Sequence, residues 1–312
     1  MKFIMHLTIQ NIKRRRVRTI LTLLGVMIGV VAAVVSLLSL GMGVKRELLQ
    51  GYGDDASIRQ ITVQTPENNQ NKKMLLTDHT IEKLAKLDKV ANVYPRYEVF
   101  TNIQVGQYTA YTNLVGIPSE QLSAIALTDT SSLSEHARKP ELVIGNAMGY
   151  MFFHEGSMTS YQDGKGDLNA WIGEKAKVSL GLDENEITDR LTIAGVMQGD
   201  ADEFSEQSQS IYCDIDVLRA YLKKHAAQGN VLGQPLDKNG NAYTSWVYSS
   251  VVVEVGKMED VEFVVKKLQD MGYQTTNMKE YRDTAMRTVR MLELLLGGIG
   301  LISFLVAAIG IS

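Results

Sequence analysis

Two long uncharged runs lie near the ends of the chain, and between them apolar residues recur at the short periods of strands and helices. The first run, residues 19–40, has no charged residue in 22 positions. At about 1.5 Å per residue it covers a hydrocarbon core of roughly 30 Å. A cleaved leader would carry a shorter apolar stretch and a small-x-small cleavage site. Here Gly41-Met-Gly-Val-Lys-Arg-Glu-Leu48 follows instead, so the run reads as an uncleaved membrane helix. The second run is uncharged over 19 residues, 294–312. Its length, its glycines and the preceding Arg282, Arg287 and Arg290 favour a second membrane helix, at 291–312, over a buried core helix. The chain stops inside this run, which we read as a truncated span at the front part of a longer protein.

Within the intervening residues 41–290, two segments share one pattern. Residues 61–64 read as a short strand. Thr77-Asp78 then reads as an N-cap, Ile81, Leu84 and Ala85 follow at helical spacing, and a strand is predicted around 93–99. Later, residues 247–255 are rich in β-branched side chains. Val261, Val264, Val265 and Leu268 recur at i, i+3, i+4, i+7, Gly272 stops the helix, and 273–276 closes as a strand. Two β-α-β units of this kind pair into one split-βαβ, ferredoxin-like lobe.

The expected fold class is therefore an α+β ectodomain carried on transmembrane α-helices. The split lobe takes 55–117 plus 247–278, and a mainly β lobe, 118–246, is inserted in it. Strands are expected in this insertion at 141–144, 177–180, 191–196 and 209–213, with a helix at 216–225. Polar glycine-bearing stretches at 160–173 and 226–240 read as loops. Residues 279–290 hold strong helix formers and no breaker, and read as a stalk helix running into the second span.

Charge gives the chain an orientation. Before the first run stand Lys2, Lys13, Arg14, Arg15, Arg16 and Arg18 with no acidic residue. Residues 41–290 carry 26 basic and 34 acidic residues, a net charge of −8. The basic bias places residues 1–18 in the cytoplasm, where they read either as a basic amphipathic segment at the membrane surface or as a topology signal alone, and residues 41–290 outside the cytoplasm of a cell-membrane protein. The whole-chain averages (45% hydrophobic, 21% charged, net charge −3) conceal this asymmetry, and they give no reason to expect a nucleic-acid partner. The single cysteine, Cys213, excludes an intrachain disulfide and a cysteine-based zinc site.

Motifs that carry chemistry are sparse. No phosphate loop of the G-x-x-x-x-G-K-[ST] form is present, and Gly41-Met-Gly43 and Gly51-Tyr-Gly53 lack the third glycine of a dinucleotide fingerprint. His6, His79, His136, His154 and His225 are scattered, and His154-Glu155 lacks the second histidine of a zinc-protease helix. Asp200, Asp202, Glu203 and Glu206 form an acidic cluster that reads as solvated loop charge, although such clusters can hold a hard cation weakly. The stretch from Asp163 to Asp167 misses the spacing of a calcium loop. No nucleophile elbow occurs, and Cys213 reads as a small core residue. Gly25 and Gly29 offer a helix-packing face in the first span. No catalytic, cofactor-binding or metal residue is assigned, and no cofactor is expected.

Three stretches carry a family resemblance: residues 11–29, Asn-Ile-Lys-Arg-Arg-Arg-Val-Arg-Thr-Ile-Leu-Thr-Leu-Leu-Gly-Val-Met-Ile-Gly; Glu141-Leu-Val-Ile-Gly-Asn146; and residues 296–310, Leu-Gly-Gly-Ile-Gly-Leu-Ile-Ser-Phe-Leu-Val-Ala-Ala-Ile-Gly. With the order span, half-lobe, insertion, half-lobe, span, the chain resembles the MacB/FtsX-type ABC transporter permeases over essentially its whole length. The resemblance implies two further spans after Ser312. It also implies no ATPase of its own, a cytoplasmic ABC ATPase partner, a second permease copy as homo- or heterodimer, an extracytoplasmic adaptor and a lipid bilayer around the spans. It implies extrusion of peptides, antibiotics or lipid-linked substrates, or mechanical activation of envelope hydrolases. The segment that contacts the ATPase in that family, between the second and third spans, is not in this sequence. A membrane-anchored extracytoplasmic binding or sensor protein without transport activity is the other reading.

Overall fold

The computed structural model describes residues 55–311 except 67–73, 135, 182–185, 203–204, 227–229 and 238, and before them positions 35, 39, 42 and 43. The expected basic segment 1–18, and the expected helix 19–40 apart from Val35 and Ser39, lie outside the described residues. The chain divides into two units, Met1–Gln50 with Glu280–Ser312, and Gly51–Lys279. In chain order the elements are β1 (Gln60–Gln64), α1 (Asp78–Ala85), β2 (Val90–Val105), β3 (Tyr108–Ile117), α2 (Ser119–Ala124), β4 (Leu142–Ile144), β5 (Phe153–His154), β6 (Lys175–Leu180), β7 (Ile187–Val196), β8 (Ile211–Asp214), α3 (Ile215–Lys224), β9 (Ser250–Val255), α4 (Val261–Asp270), β10 (Gln274–Asn277) and α5 (Met278–Ile311).

The two β-α-β units interlock. Strands β10, β1, β9 and the first half of β2 form an antiparallel sheet in that order. Strand β9 separates β1 from β2, and β1 separates β9 from β10, so each unit is split by a strand of the other. The valine run explains the central place of β9: Val251, Val252, Val253 and Val255 are all buried. Helix α4 buries Val261, Val264 and Leu268, one stripe at helical spacing, and the chain leaves the helix through Gly272 at φ +92°. Thr77 does stand before α1, but its hydroxyl makes no cap bond to the helix backbone and lies instead 3.4 Å from the Thr80 hydroxyl.

Strand β2 has 16 residues and changes sheets along its length. Arg96 pairs with Ser250 of β9, and Tyr97 pairs with Gly116 of β3. From Tyr97 onward the pairing runs β2–β6, β6–β7, β7–β4, β4–β8, β8–β3 and back from β3 to β2. Six strands thus close on themselves, with β7–β4 and β8–β3 parallel, and β5 is added along β3. A closed ring of this size is filled by side chains. Ile103, Leu114, Leu142, Ile144, Val178, Leu191, Ile193 and Ile211 join the main core, and Val115, Ile117, Val143 and Tyr212 form a second patch with Leu122 of α2.

Residues 97–117, expected in the first lobe, therefore pair with strands of the insertion. The physical reason is that a strand long enough to leave one sheet can supply an edge to another. The loop expected at 160–173 also differs: its end is a 3-10 turn, Leu168–Trp171, whose Leu168 and Trp171 are buried. Residues 279–290 are helical within α5, whose backbone continues to Ile311. Side chains at 296 and 299–312 lie outside the described set, and among the described residues no helix is long and apolar enough to cross a membrane.

Candidate functional site

The residues singled out for chemistry do not converge. Among the described residues no His, Cys, Asp or Glu group is arranged to hold a metal ion. His79 lies on α1, His136 in a loop, His154 on β5 and His225 just after α3, while His6 is outside the described residues. His154 sits 2.7 Å from the side-chain oxygen of Gln107 and 2.9 Å from the Glu155 carbonyl. Cys213 is fully buried in β8, and burial pushes its thiol well above the ordinary range, against any nucleophilic role.

The acidic cluster separates in space. Asn146 Nδ2 donates to the Asp200 carbonyl at 2.5 Å, and the Asp202 backbone N–H donates to the Asp200 carboxylate at 3.1 Å. Tyr150 donates its hydroxyl to Asp202, which pushes the phenol up to about 12. Glu203 is outside the described residues, and Glu206 turns away to an arginine of β2. Asp163 accepts from the Ser160 hydroxyl at 2.7 Å, and Asp167 caps the 3-10 turn by accepting from Asn169 N–H at 2.9 Å. Both carboxylates are spent on local turns.

What the fold does bring together is a polar and aromatic seam where the ferredoxin-like sheet meets the barrel. The chain passes between them twice, outward along β2 at Arg96-Tyr97 and back through residues 246–250. The two passages lie side by side. Ser249 N–H donates to the Arg96 carbonyl at 3.1 Å, and Glu98 N–H donates to the Ser249 hydroxyl at 2.9 Å. Successive strand residues point to opposite faces, so Arg96 and Tyr97 hold the crossing from two sides.

On one face, Arg96 Nη1 donates to Glu206 of the β7–β8 connection at 2.8 Å, with Glu98 4.0 Å from its other terminal nitrogen. Burial works against the arginine's charge, but Glu206, the Tyr212 hydroxyl and Glu98 outweigh it and hold the guanidinium firmly protonated. Its Nε and the Ser250 hydroxyl, on directly paired residues, are buried with no partner in the protein. On the other face, Tyr97 donates its hydroxyl to the Leu232 carbonyl at 2.7 Å and packs on Trp246, with ring centroids 4.9 Å apart. Arg219 and Lys223 of α3 lie over the same indole at 5.5 and 5.6 Å. Gln234 makes a two-bond clasp with the Val247 backbone, at 2.8 and 2.9 Å.

None of Arg96, Tyr97 or Trp246 carries a motif, which is why sequence reading passed over them. One signal was available: Arg96 stands in a segment with strand periodicity, and a charge on such a strand is buried only with a partner supplied from elsewhere. The seam holds no nucleophile–base pair. It is a set of polar and aromatic contacts around the two crossings.

Residues 19–271 match the family model described as the MacB-like periplasmic core domain. The macrolide export ATP-binding/permease protein MacB of Bartonella henselae is 24% identical over 319 residues, covering 99% of this chain and 43% of that protein. The protein of the same name from Bartonella quintana is 23% identical over 321 residues, with the same coverage. The chain thus spans less than half the length of these relatives. Among solved structures, the periplasmic region of MacB from Actinobacillus actinomycetemcomitans aligns over 73% of this chain and 93% of its own, at 13% identity and a TM-score of 0.40. The extracellular domain of the noncanonic ABC-type transporter YknZ from Gram-positive bacteria aligns over 70% and 98%, at 15% identity and a TM-score of 0.38.

Proposed function

The chain belongs to the MacB-like periplasmic core domain family, and from that premise we propose that it is the permease component of an ABC-type exporter or mechanotransmission system. The observation that carries this reading is the extent of the family match. It begins at residue 19, where the first uncharged run begins, and continues to residue 271. In this reading residues 19–40 and 291–312 are membrane helices, residues 1–18 lie at the cytoplasmic face, and residues 41–290 stand outside the cytoplasm.

A cytoplasmic ABC ATPase hydrolyses ATP, and this chain, with no phosphate loop, takes up the resulting movement. Helix α5 carries that movement as a stalk over residues 279–290. A helix without a glycine linker at this point transmits displacement, whereas a flexible linker would absorb it. A second permease copy completes the membrane part, and an extracytoplasmic adaptor receives the substrate. Peptides, antibiotics such as macrolides, and lipid-linked molecules are the substrate classes we assign. Catalysis belongs to the ATPase partner, and we place no catalytic, cofactor or metal residue on this chain.

Two measurements test the proposal. A form that also carries the segment between the second and third spans should co-purify with an ATPase subunit encoded beside it, and substrate should change that subunit's ATP turnover only when that form is present, whereas the chain without that segment should leave turnover unchanged. Turnover indifferent to the longer form would refute the coupling. Met158 is 93% exposed on the second unit. A cysteine placed there should react with a membrane-impermeant thiol reagent on cells stripped of any outer membrane, and one at Thr8 should not. The buried Cys213 stays silent, and reversed labelling would overturn the orientation.

A further inference from the structure

The geometry points to a latched hinge inside the ectodomain: the ferredoxin-like lobe and the barrel swing about the paired crossings Arg96-Tyr97 and 249–250, and the Arg96–Glu206 ion pair holds them closed. Four observations carry it. The first is covalent. The lobes are joined at two points only, and those points are neighbours in one antiparallel ribbon, with Arg96 opposite Ser250. A two-stranded ribbon bends and twists far more easily than a sheet bonded on both edges.

The second observation is the partner. Glu206 sits in a turn held by its own hydrogen bonds. Ser205 N–H donates to the Ser208 hydroxyl at 2.7 Å and Ser208 N–H to the Ser205 hydroxyl at 3.0 Å, while the Ser210 hydroxyl donates to the Glu206 carbonyl at 2.6 Å. The arginine therefore grips the barrel through a stiff handle. The third is placement. Arg96 is the last residue of β2 to pair in the first sheet, so its side chain reaches across the joint while its backbone belongs to the other lobe.

The fourth observation is that the closed seam is imperfect. Arg96 Nε and the Ser250 hydroxyl are buried with no partner in the protein. Opening would return both to water, which offsets part of what the ion pair contributes. A seam that is incompletely satisfied suits a joint that opens. Tyr97 and Trp246 on the opposite face keep the ribbon in register and serve as the fulcrum. This property belongs to the ectodomain whether or not an ATPase drives it, so its test stands apart from that of the transport reading.

The test uses the full chain with spin labels on cysteines replacing Lys175 of β6 and Lys266 of α4, both exposed residues on opposite sides of the joint; Cys213, fully buried, remains unlabelled. The unaltered joint should give one narrow distance distribution. Glu206→Ala, which removes a side chain 55% exposed and leaves the cores untouched, should broaden it about twofold, and Arg96→Ala should do the same. Hydrogen exchange should quicken roughly tenfold at the amides of residues 96–99 and 249–252 while β7 and α4 keep their protection. An unchanged distribution in Glu206→Ala overturns the latch. So does a uniform loss of protection across residues 51–279, because the ion pair would then be supporting the whole fold. Should Arg96→Ala fail to fold, the Glu206→Ala result decides alone.

Discussion

Gly145, inside the Glu141–Asn146 stretch, is the position where the packing is least forgiving. A Cβ there would stand 2.2 Å from the Ser208 carbonyl oxygen, 2.6 Å from its carbon and 2.9 Å from the Gln207 carbonyl oxygen. Every one of these is backbone, so no side-chain rotamer relieves the clash. The turn would have to retreat by about 1 Å to restore van der Waals contact. Yet it is tied to this segment by Gly145 N–H donating to the Ser210 carbonyl at 2.9 Å and Ala147 N–H to the Ser208 carbonyl at 3.0 Å. Losing both bonds at about 1 kcal/mol each, with overpacking strain of about 1–3 kcal/mol, gives roughly 3–5 kcal/mol for Gly145→Ala. For a unit of this size, that lowers the melting temperature by about 6–20 °C. Trp171 and Trp246, the only tryptophans, both lie in the second unit and report its melting by fluorescence. Gly256→Ala is the control: nothing lies within 4 Å of its Cβ position, and it should melt within 2 °C of the parent. If Gly145→Ala melts with the control, the close approach of the two segments is wrong.

Two further outcomes follow from named contacts. Lys139 donates to Asp189 at 2.6 Å, the Arg190 N–H and the Tyr221 hydroxyl add to it at 2.7 and 2.9 Å, and together they hold the carboxyl down to about 2. A depressed folded pKa contributes stability above the unfolded value, near 4, and loses it as pH falls through about 2. Asp189→Asn should therefore cost about 1 kcal/mol at pH 7, discounted for the half-exposed lysine, and the gap to the parent should close between pH 4 and 2 in melting experiments. Asp214 caps α3, accepting from Asp216 and Val217 N–H at 2.8 and 3.0 Å; Asp214→Ala should cost about 1 kcal/mol, and Asp214→Asn should recover most of it in the same melts.

The sequence made legible what depends on near neighbours. Both β-α-β units could be read because Val261, Val264 and Leu268, or Ile61 and Val63, report their burial through local spacing. The mainly β character of the insertion was visible for the same reason. Closure of the barrel was not. It depends on β3, which no strand prediction covered, and on parallel pairings such as Leu114 with Ile211 that no short-range period encodes. Within β2 the alternation of buried residues, Tyr97, Val99, Thr101, Ile103 and Val105, starts only at the crossing, and residues 90–96 show none. Alternation records which face is buried and not which strand lies alongside, so even there it does not name β3 or β6 as the new partners. Arg96 and Glu206 lie 110 residues apart, and the site they form exists only after both lobes have folded.

The strand order also fixes how a displacement would travel. Helix α5 starts at Met278, directly after β10, and Lys279 within its first turn pairs with Glu262 at the start of α4. A pull at Met278 therefore loads β10 and α4 together. From β10 the ladder passes it through β1 to β9 and β2, which are paired antiparallel in that order. At its far edge the load meets β2, whose next residues belong to the barrel. The two crossings there are the only covalent passages between the lobes, which share one hydrophobic cluster. The same topology thus makes residues 96–97 and 249–250 the place where motion must either be transmitted or absorbed. Which of the two occurs depends on the pair Arg96–Glu206, because it is the contact that crosses the joint on the face the aromatic residues leave open.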